Sequence, residues 1–183
     1  MTVGITPDPG LVGPTGPTGA TGAAGATGPT GSASSISVAV FTHELALNTD
    51  GGTATQGSFI KLTLNTTQFN GITGASLSSS QVTLPAGTYY CQGIQCFYAG
   101  VGRIRLKLRN TTDSTDTILG LNYDQNNVEE ANAHLMGSFT IAAQKTFEFQ
   151  YQVQTTVSGN GLGDNSNMGI AEVYTSISFM KVA

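Results

Sequence analysis

The chain has 183 residues, of which only 10% are charged, and its net charge is −4. So weak and slightly negative a charge excludes nucleic acid as a partner of the whole chain. No run of about 18 apolar residues occurs, so membrane insertion is not expected, and the opening MTVGITPDP has neither the basic nor the apolar region of a secretory signal.

Residues 1–9 are too few to fold by themselves. Pro7 and Pro9 lower the entropy lost when an extended peptide docks, so Val3, Ile5, Pro7 and Pro9 are read as contacts of an anchoring peptide. Gly4 is in phase with the repeat that follows, but Pro7 fills the next glycine slot. The repeat therefore starts at Gly10 and runs through Gly13, Gly16, Gly19, Gly22, Gly25, Gly28 and Gly31. Glycine at every third position is the demand of a collagen-type triple helix, whose axis is too crowded for a Cβ. Residues 10–33 are accordingly expected to form a triple-helical stalk, roughly 70 Å long at about 3 Å per residue. The chain is then a homotrimer. Proline follows glycine at Pro14, Pro17 and Pro29, threonine fills the third position at Thr15, Thr18, Thr21, Thr27 and Thr30, and no charge sets the register. So weak a stalk needs a clamp, which residues 34–183 must supply as one domain with one core.

That remainder reads as all β. Strands are predicted at 36–42, 58–64, 81–84, 88–98, 103–110, 117–122, 135–142, 145–156 and 170–182, with turns at Pro85-Ala86-Gly87, at Gly100-Val101-Gly102 and across 159–169. No stretch keeps a helical period. Nine or ten strands over roughly 150 residues fit a jelly-roll β-sandwich. In 103–109, Ile104, Leu106 and Leu108 alternate with Arg103, Arg105, Lys107 and Arg109; in 147–154, Phe147, Phe149, Tyr151 and Val153 alternate with Glu148 and three glutamines. Each strand buries one face. Cys91 and Cys96 are an odd number of residues apart on one strand and so face opposite ways. A disulfide between them would need Gly93 to form a bulge or turn.

Arg103, Arg105, Lys107 and Arg109 are four of the seven cations. They read either as a strand face paired with nearby Glu148, Asp113 and Asp116 or as a contact for an anionic glycan. The longest polar loops, 122–133 and 159–169, are either simply solvated or adhesive. Tyr123, Asp124, Gln125 and Asn126, with Asn160, Asp164, Asn165 and Asn167, are the candidate receptor contacts, because an aromatic face and planar hydrogen-bonding groups suit a glycan. No pair of carboxylates on an apolar wall and no Ser-His-Asp set is evident, so catalysis is not expected. No cofactor is called for, and no metal: Glu129 and Glu130 near Asp124 lack a glycine-anchored Ca²⁺ loop.

A collagen-like stalk leading into a jelly roll resembles the trimeric domain of the tumour-necrosis-factor/complement type, with VYTSISFMKVA as its final, deeply placed strand. The ordered series at 84–89 (LPAGTY), 104–106 (IRL), 110–113 (NTTD), 139–150, 155–163 and 172–175 (EVYT) resembles a C-terminal module of bacteriophage fibre and prophage tail proteins. The stalk triplets and the ending SISFMKVA are also similar to collagen-like exosporium glycoproteins of spore formers. The phage resemblance implies a non-enzymatic homotrimeric fibre on the virion surface, assembled in the host cytoplasm. Its N-terminus would grip the major capsid protein or another virion protein as a head fibre or decoration protein. Its head would meet a host surface glycan. A tail-tip or baseplate receptor-binding fibre and an exosporium filament are the alternatives.

Overall fold

Alternation of apolar and polar residues carries the chain into strands, and the computed structural model describes them through Met1, Gly4, Gly10 and residues 13–26, 35–125 and 130–182. Two units separate, Met1–Ser32 and Ala33–Ala183. In the first, residues 13–26 form neither helix nor strand and are exposed throughout. In the second, the described residues form twelve strands and no helix: β1 (Ser37–Leu45), β2 (Ile60–Lys61), β3 (Thr66–Asn70), β4 (Ser76–Ser78), β5 (Gln81–Leu84), β6 (Gly87–Tyr98), β7 (Arg103–Asn110), β8 (Thr115–Leu119), β9 (Tyr123–Asp124), β10 (Glu130–Ile141), β11 (Lys145–Val153) and β12 (Glu172–Lys181).

These strands make two antiparallel sheets. The five-stranded sheet runs β10-β6-β12-β1-β3, so the last strand lies at its centre. The seven-stranded sheet runs β4-β5-β11-β7-β8, with β2 added to β11 and β9 to β7. Strands that neighbour in space but not in sequence are the mark of a jelly roll. The all-β expectation is met.

The core lies between β6 and β11, on three rungs. At one end Tyr89 stacks on Phe139 at 5.4 Å and Phe139 meets Phe147 at 5.2 Å between ring centroids. At the other, Phe97 meets Tyr151 at 5.9 Å. In the middle, Phe149 occupies the space that a side chain on Gly93 would take: a Cβ there would lie 2.6 Å from the ring's Cζ. Gly93 is thus no bulge or turn. It pairs in regular register with Leu135 on one side and Ile177 on the other. Cys91 consequently faces the core while Cys96 faces away, both thiols are free, and burial raises the pKa of each.

The structure departs from the sequence expectation in the weakly patterned segments. The predicted polar loop 122–133 is strand at both ends, as β9 and the start of β10. Ala131 and Ala133 face inward while Glu130, Asn132 and His134 face out, and alanine is too small an apolar signal to reveal that alternation. The strand expected at 58–64 shrinks to β2, although Leu62 and Leu64 are buried and Leu62 N–H donates to Phe149 C=O at 2.8 Å. Strands β3 and β4 were not expected, since neither holds a fully buried residue.

Gly93→Ala is expected to destabilise the head by about 1–3 kcal/mol, through overpacking against Phe149. Urea denaturation of Gly93→Ala, Phe149→Leu and the double variant checks this: the double variant should be more stable than the sum of the single losses predicts.

Candidate functional site

The two sheets expose outer faces of opposite chemistry. On the five-stranded sheet the register lines up three rows across the strands. One runs Val38, Met180, Tyr90, Ser138. The next runs Phe69, Val40, Ser178, Gln92, Met136. The third runs Thr66, Thr42, Ser176, Ile94, His134. None of these positions is Lys, Arg, Asp or Glu. Phe69 is 57% and Met136 51% exposed. Tyr90 and Met180 are exposed on this face too, so large apolar side chains are spread over uncharged polar rows. The signal of this face was present in the outward positions of YCQGIQC, HLMGSF and SISFM, but the inward positions of the same strands masked it.

The seven-stranded sheet carries six of the seven cations, Lys61 on β2, four on β7 and Lys145 on β11. Its basic stripe divides in two. Lys107 and Arg109 share Asp116, at 3.0 and 2.9 Å, and the Lys107 ammonium also lies 4.1 Å over the Phe59 ring. Hydrogen bonds from Arg109 and then Lys107 hold the Asp116 carboxyl below its ordinary pKa. Lys145 likewise bonds Asp113 at 2.6 Å, and Lys61 lies 3.9 Å from Glu148. This half of the stripe is the paired strand face read as one alternative from the sequence.

Arg103 and Arg105 sit differently. They border an open cleft of about 610 Å³ where β9 joins β7 and β7 joins β11. Arg105 stands opposite Gln152, and Arg103 opposite Asp124. Arg103 lies 3.8 Å from Asp124, and the Arg103 side chain is 77% exposed. Arg105 donates from Nε to the Gly120 carbonyl at 3.3 Å and forms no ion pair among the described residues. Tyr123 and Asp124 line the cleft with Asn122. Gln125 does not join them: it is 3% exposed and its amide donates to the Phe97 carbonyl at 3.2 Å. Asn126 lies outside the described residues, as do Val3, Ile5, Pro7, Pro9, Gly28 and Gly31.

The other expected contact loop is tied down from within. Asn165 donates to the Asp50 carboxylate from its backbone N–H at 3.2 Å and its side chain at 2.6 Å. Glu172 accepts from Ser166 N–H at 3.1 Å, Ser166 Oγ at 2.8 Å, Asn167 N–H at 3.3 Å and Asn48 N–H at 3.4 Å. These donors, with the Ser166 backbone foremost, hold the Glu172 carboxyl below its ordinary pKa. Gln95, wholly buried on β6, donates to the Leu162 carbonyl at 3.1 Å and accepts from Thr175. The Asn160 carbonyl accepts from Gly163 N–H, closing a turn. Asp164 lies beside Tyr174, whose hydroxyl burial and neighbouring carboxylates push up to about 12. Of the four candidates here, Asn160, Asn165 and Asn167 thus make bonds that shape the loop.

No protein-family model matches the chain, and no curated protein does. Solved structures do. A crystal structure of murine APRIL at pH 5.0 is similar with a TM-score of 0.51 at 8% identity, covering 80% of this chain and 99% of that one. The globular domain of zebrafish complement 1qA protein has a TM-score of 0.45 at 11% identity, covering 81% of this chain and 96% of that one. The likeness to the first is one of fold alone, and it gives the head the jelly roll of the tumour-necrosis-factor type.

A carboxyl whose pKa falls on folding adds stability that is present above its ordinary pKa and lost as pH drops through the folded value. For Glu172 the ordinary value is 4.5. Thermal melts from pH 7 to pH 2 should show Glu172→Gln melting below the wild type at pH 7. That gap should close steadily below pH 4.5, where the wild-type carboxyl takes up its proton.

Proposed function

We propose that this chain is a non-enzymatic, homotrimeric surface fibre of a bacteriophage virion, attached through the residues ahead of Gly10 and presenting the jelly-roll head for adhesion. The observation that carries the trimer is the set of three charge-free rows across the outer face of the five-stranded sheet, with Phe69 and Met136 exposed on them. Three copies around an axis would let every chain bury the same face against a neighbour. The stalk points the same way. In the single chain a Cβ added at Gly13, Gly16, Gly19, Gly22 or Gly25 would meet nothing within 4 Å. Packing within one chain gives no reason for glycine there, whereas two further chains at a common axis do.

The assignment to a phage rests on the ordered sequence pattern across 81–181 and on a composition whose solubility comes from uncharged polar residues. Val3, Ile5, Pro7 and Pro9 are the proposed grip on the major capsid protein or another virion protein.

Light scattering of the purified chain should give a mass three times the 18.8 kDa of one chain. Met136→Glu places a charge in the face and should shift the head to monomers, while the exposed substitution Lys61→Glu on the other sheet leaves the mass unchanged. Cryo-electron microscopy of particles with and without residues 1–9 checks attachment. Fibres on capsomers that vanish with the deletion support a head fibre. Density at the tail tip moves the chain to a receptor-binding fibre. No virion density on the intact chain overturns the phage reading.

A further inference from the structure

We propose that the cleft between β7, β9 and β11 binds a saccharide bearing an oxyanion, a carboxylate or a phosphate, with Arg103 and Arg105 as the partners of the anion. This deepens the adhesive reading of the head and rests on it for its biological role. Three observations converge here. The first is charge balance. Lys107 and Arg109 lie 3.0 and 2.9 Å from Asp116 and Lys145 lies 2.6 Å from Asp113, whereas at the cleft Arg103 lies 3.8 Å from Asp124 and Arg105 forms no ion pair among the described residues. Among the described residues, the Arg105 guanidinium thus has no carboxylate within ion-pair distance.

The second is preorganisation. The Arg105 Nε is bonded to the Gly120 carbonyl, which fixes the plane of the guanidinium before any ligand arrives. Gln154 is fixed as well, since its side-chain oxygen accepts from Arg103 N–H at 3.3 Å and its backbone N–H donates to the Arg103 carbonyl at 2.9 Å. Gln152 is held by its bond to the Gly57 carbonyl at 2.8 Å. A fork of N–H donors in a set plane suits the two oxygens of a carboxylate or phosphate.

The third is the remaining lining. Tyr123 offers a ring, 38% exposed, for the apolar face of a sugar. Asn122, Gln152, Gln154 and Asp124 offer amide and carboxylate groups for hydroxyls. A cleft of about 610 Å³ is in the size range of small-ligand sites. A simple inorganic anion would leave the aromatic ring and the amides without a role, and a neutral sugar would leave the guanidinium pair without one.

Calorimetric titration of the purified full chain with trigalacturonate, glucose 6-phosphate and maltotriose tests the site. Binding of trigalacturonate or glucose 6-phosphate, at least tenfold tighter than maltotriose, is the expected result, and which of the two binds names the anion's source. Arg103→Ala and Arg105→Ala should each weaken that binding about tenfold. Arg105→Lys, which keeps the charge but loses the fork, should weaken it as well. Lys145→Ala, at the opposite end of β11, should leave it unchanged. Arg103 is exposed, so its variant stays informative even where Arg105→Ala fails to fold. Equal binding of maltotriose, equal loss in Lys145→Ala and Arg103→Ala, or no binding of either acid overturns the proposal. Because the purified chain is used, a failure here leaves virion attachment untouched, and absence from virions leaves the cleft result standing.

Discussion

The contact of β6 with β11 is the constraint on which the rest of the head depends. Phe149 presses into the space left open at Gly93, between an aromatic cluster at Tyr89, Phe139 and Phe147 and the Phe97–Tyr151 pair. Aromatic rings bury large areas and pack at set angles, so three rungs along one pair of strands fix both the spacing and the relative rotation of the two sheets. The same contact explains why a strand interior tolerates glycine, which ordinarily weakens it. The lost side chain is replaced by a ring from the facing sheet.

Once the sheets are locked face to face, each has one outer surface left, and their chemistry diverges. The five-stranded sheet holds the first and last strands and presents uncharged rows. The seven-stranded sheet collects the charged strands β7 and β11. Surface ion pairs contribute little stability individually, so the clustering of pairs on one sheet is better understood as a division of roles. One face stays wet because its charges keep it so. The other has no charge in its three central rows, which are free to be covered. Within the charged face, Asp116 on β8 lies close to both Lys107 and Arg109, whereas Asp124 on β9 lies 3.8 Å from Arg103, and Arg105 has no ion pair among the described residues.

The loop before β12 follows a different logic. Asp50 and Glu172 lie far apart in sequence, yet each gathers donors from residues 165–167. A carboxylate that accepts several N–H and O–H groups orders a glycine-rich segment with no core of its own, and the same donors lower its pKa. Of the asparagines that look available for a partner in the sequence, Asn165 has its side-chain amide engaged inside the loop, while Asn160 and Asn167 are bonded through their backbone.

Much was legible from residue order because side-chain alternation is a local property. The period of two in RIRLKLRN places β7 at Arg103–Asn110, and QVTL places β5 at Gln81–Leu84, both with the bounds expected. The opposed facing of Cys91 and Cys96 follows from the same period. The glycine period from Gly10 to Gly31 is likewise a fact of sequence, since no contact within the described chain accounts for it. Other features were decided by the tertiary structure. Alanine and threonine carry too little hydrophobic contrast to announce the start of β10 or the edge strand β3. Gly93 could not be told from a turn glycine until Phe149 lay over it. Gln125 reads as exposed until β6 supplies the Phe97 carbonyl that takes its amide inside. The basic stripe on β7 is uniform in sequence, and only the pairing of β8 and β9 along it divides cations held in close ion pairs from those bordering a cleft, because the charge a strand meets belongs to its neighbours and not to itself.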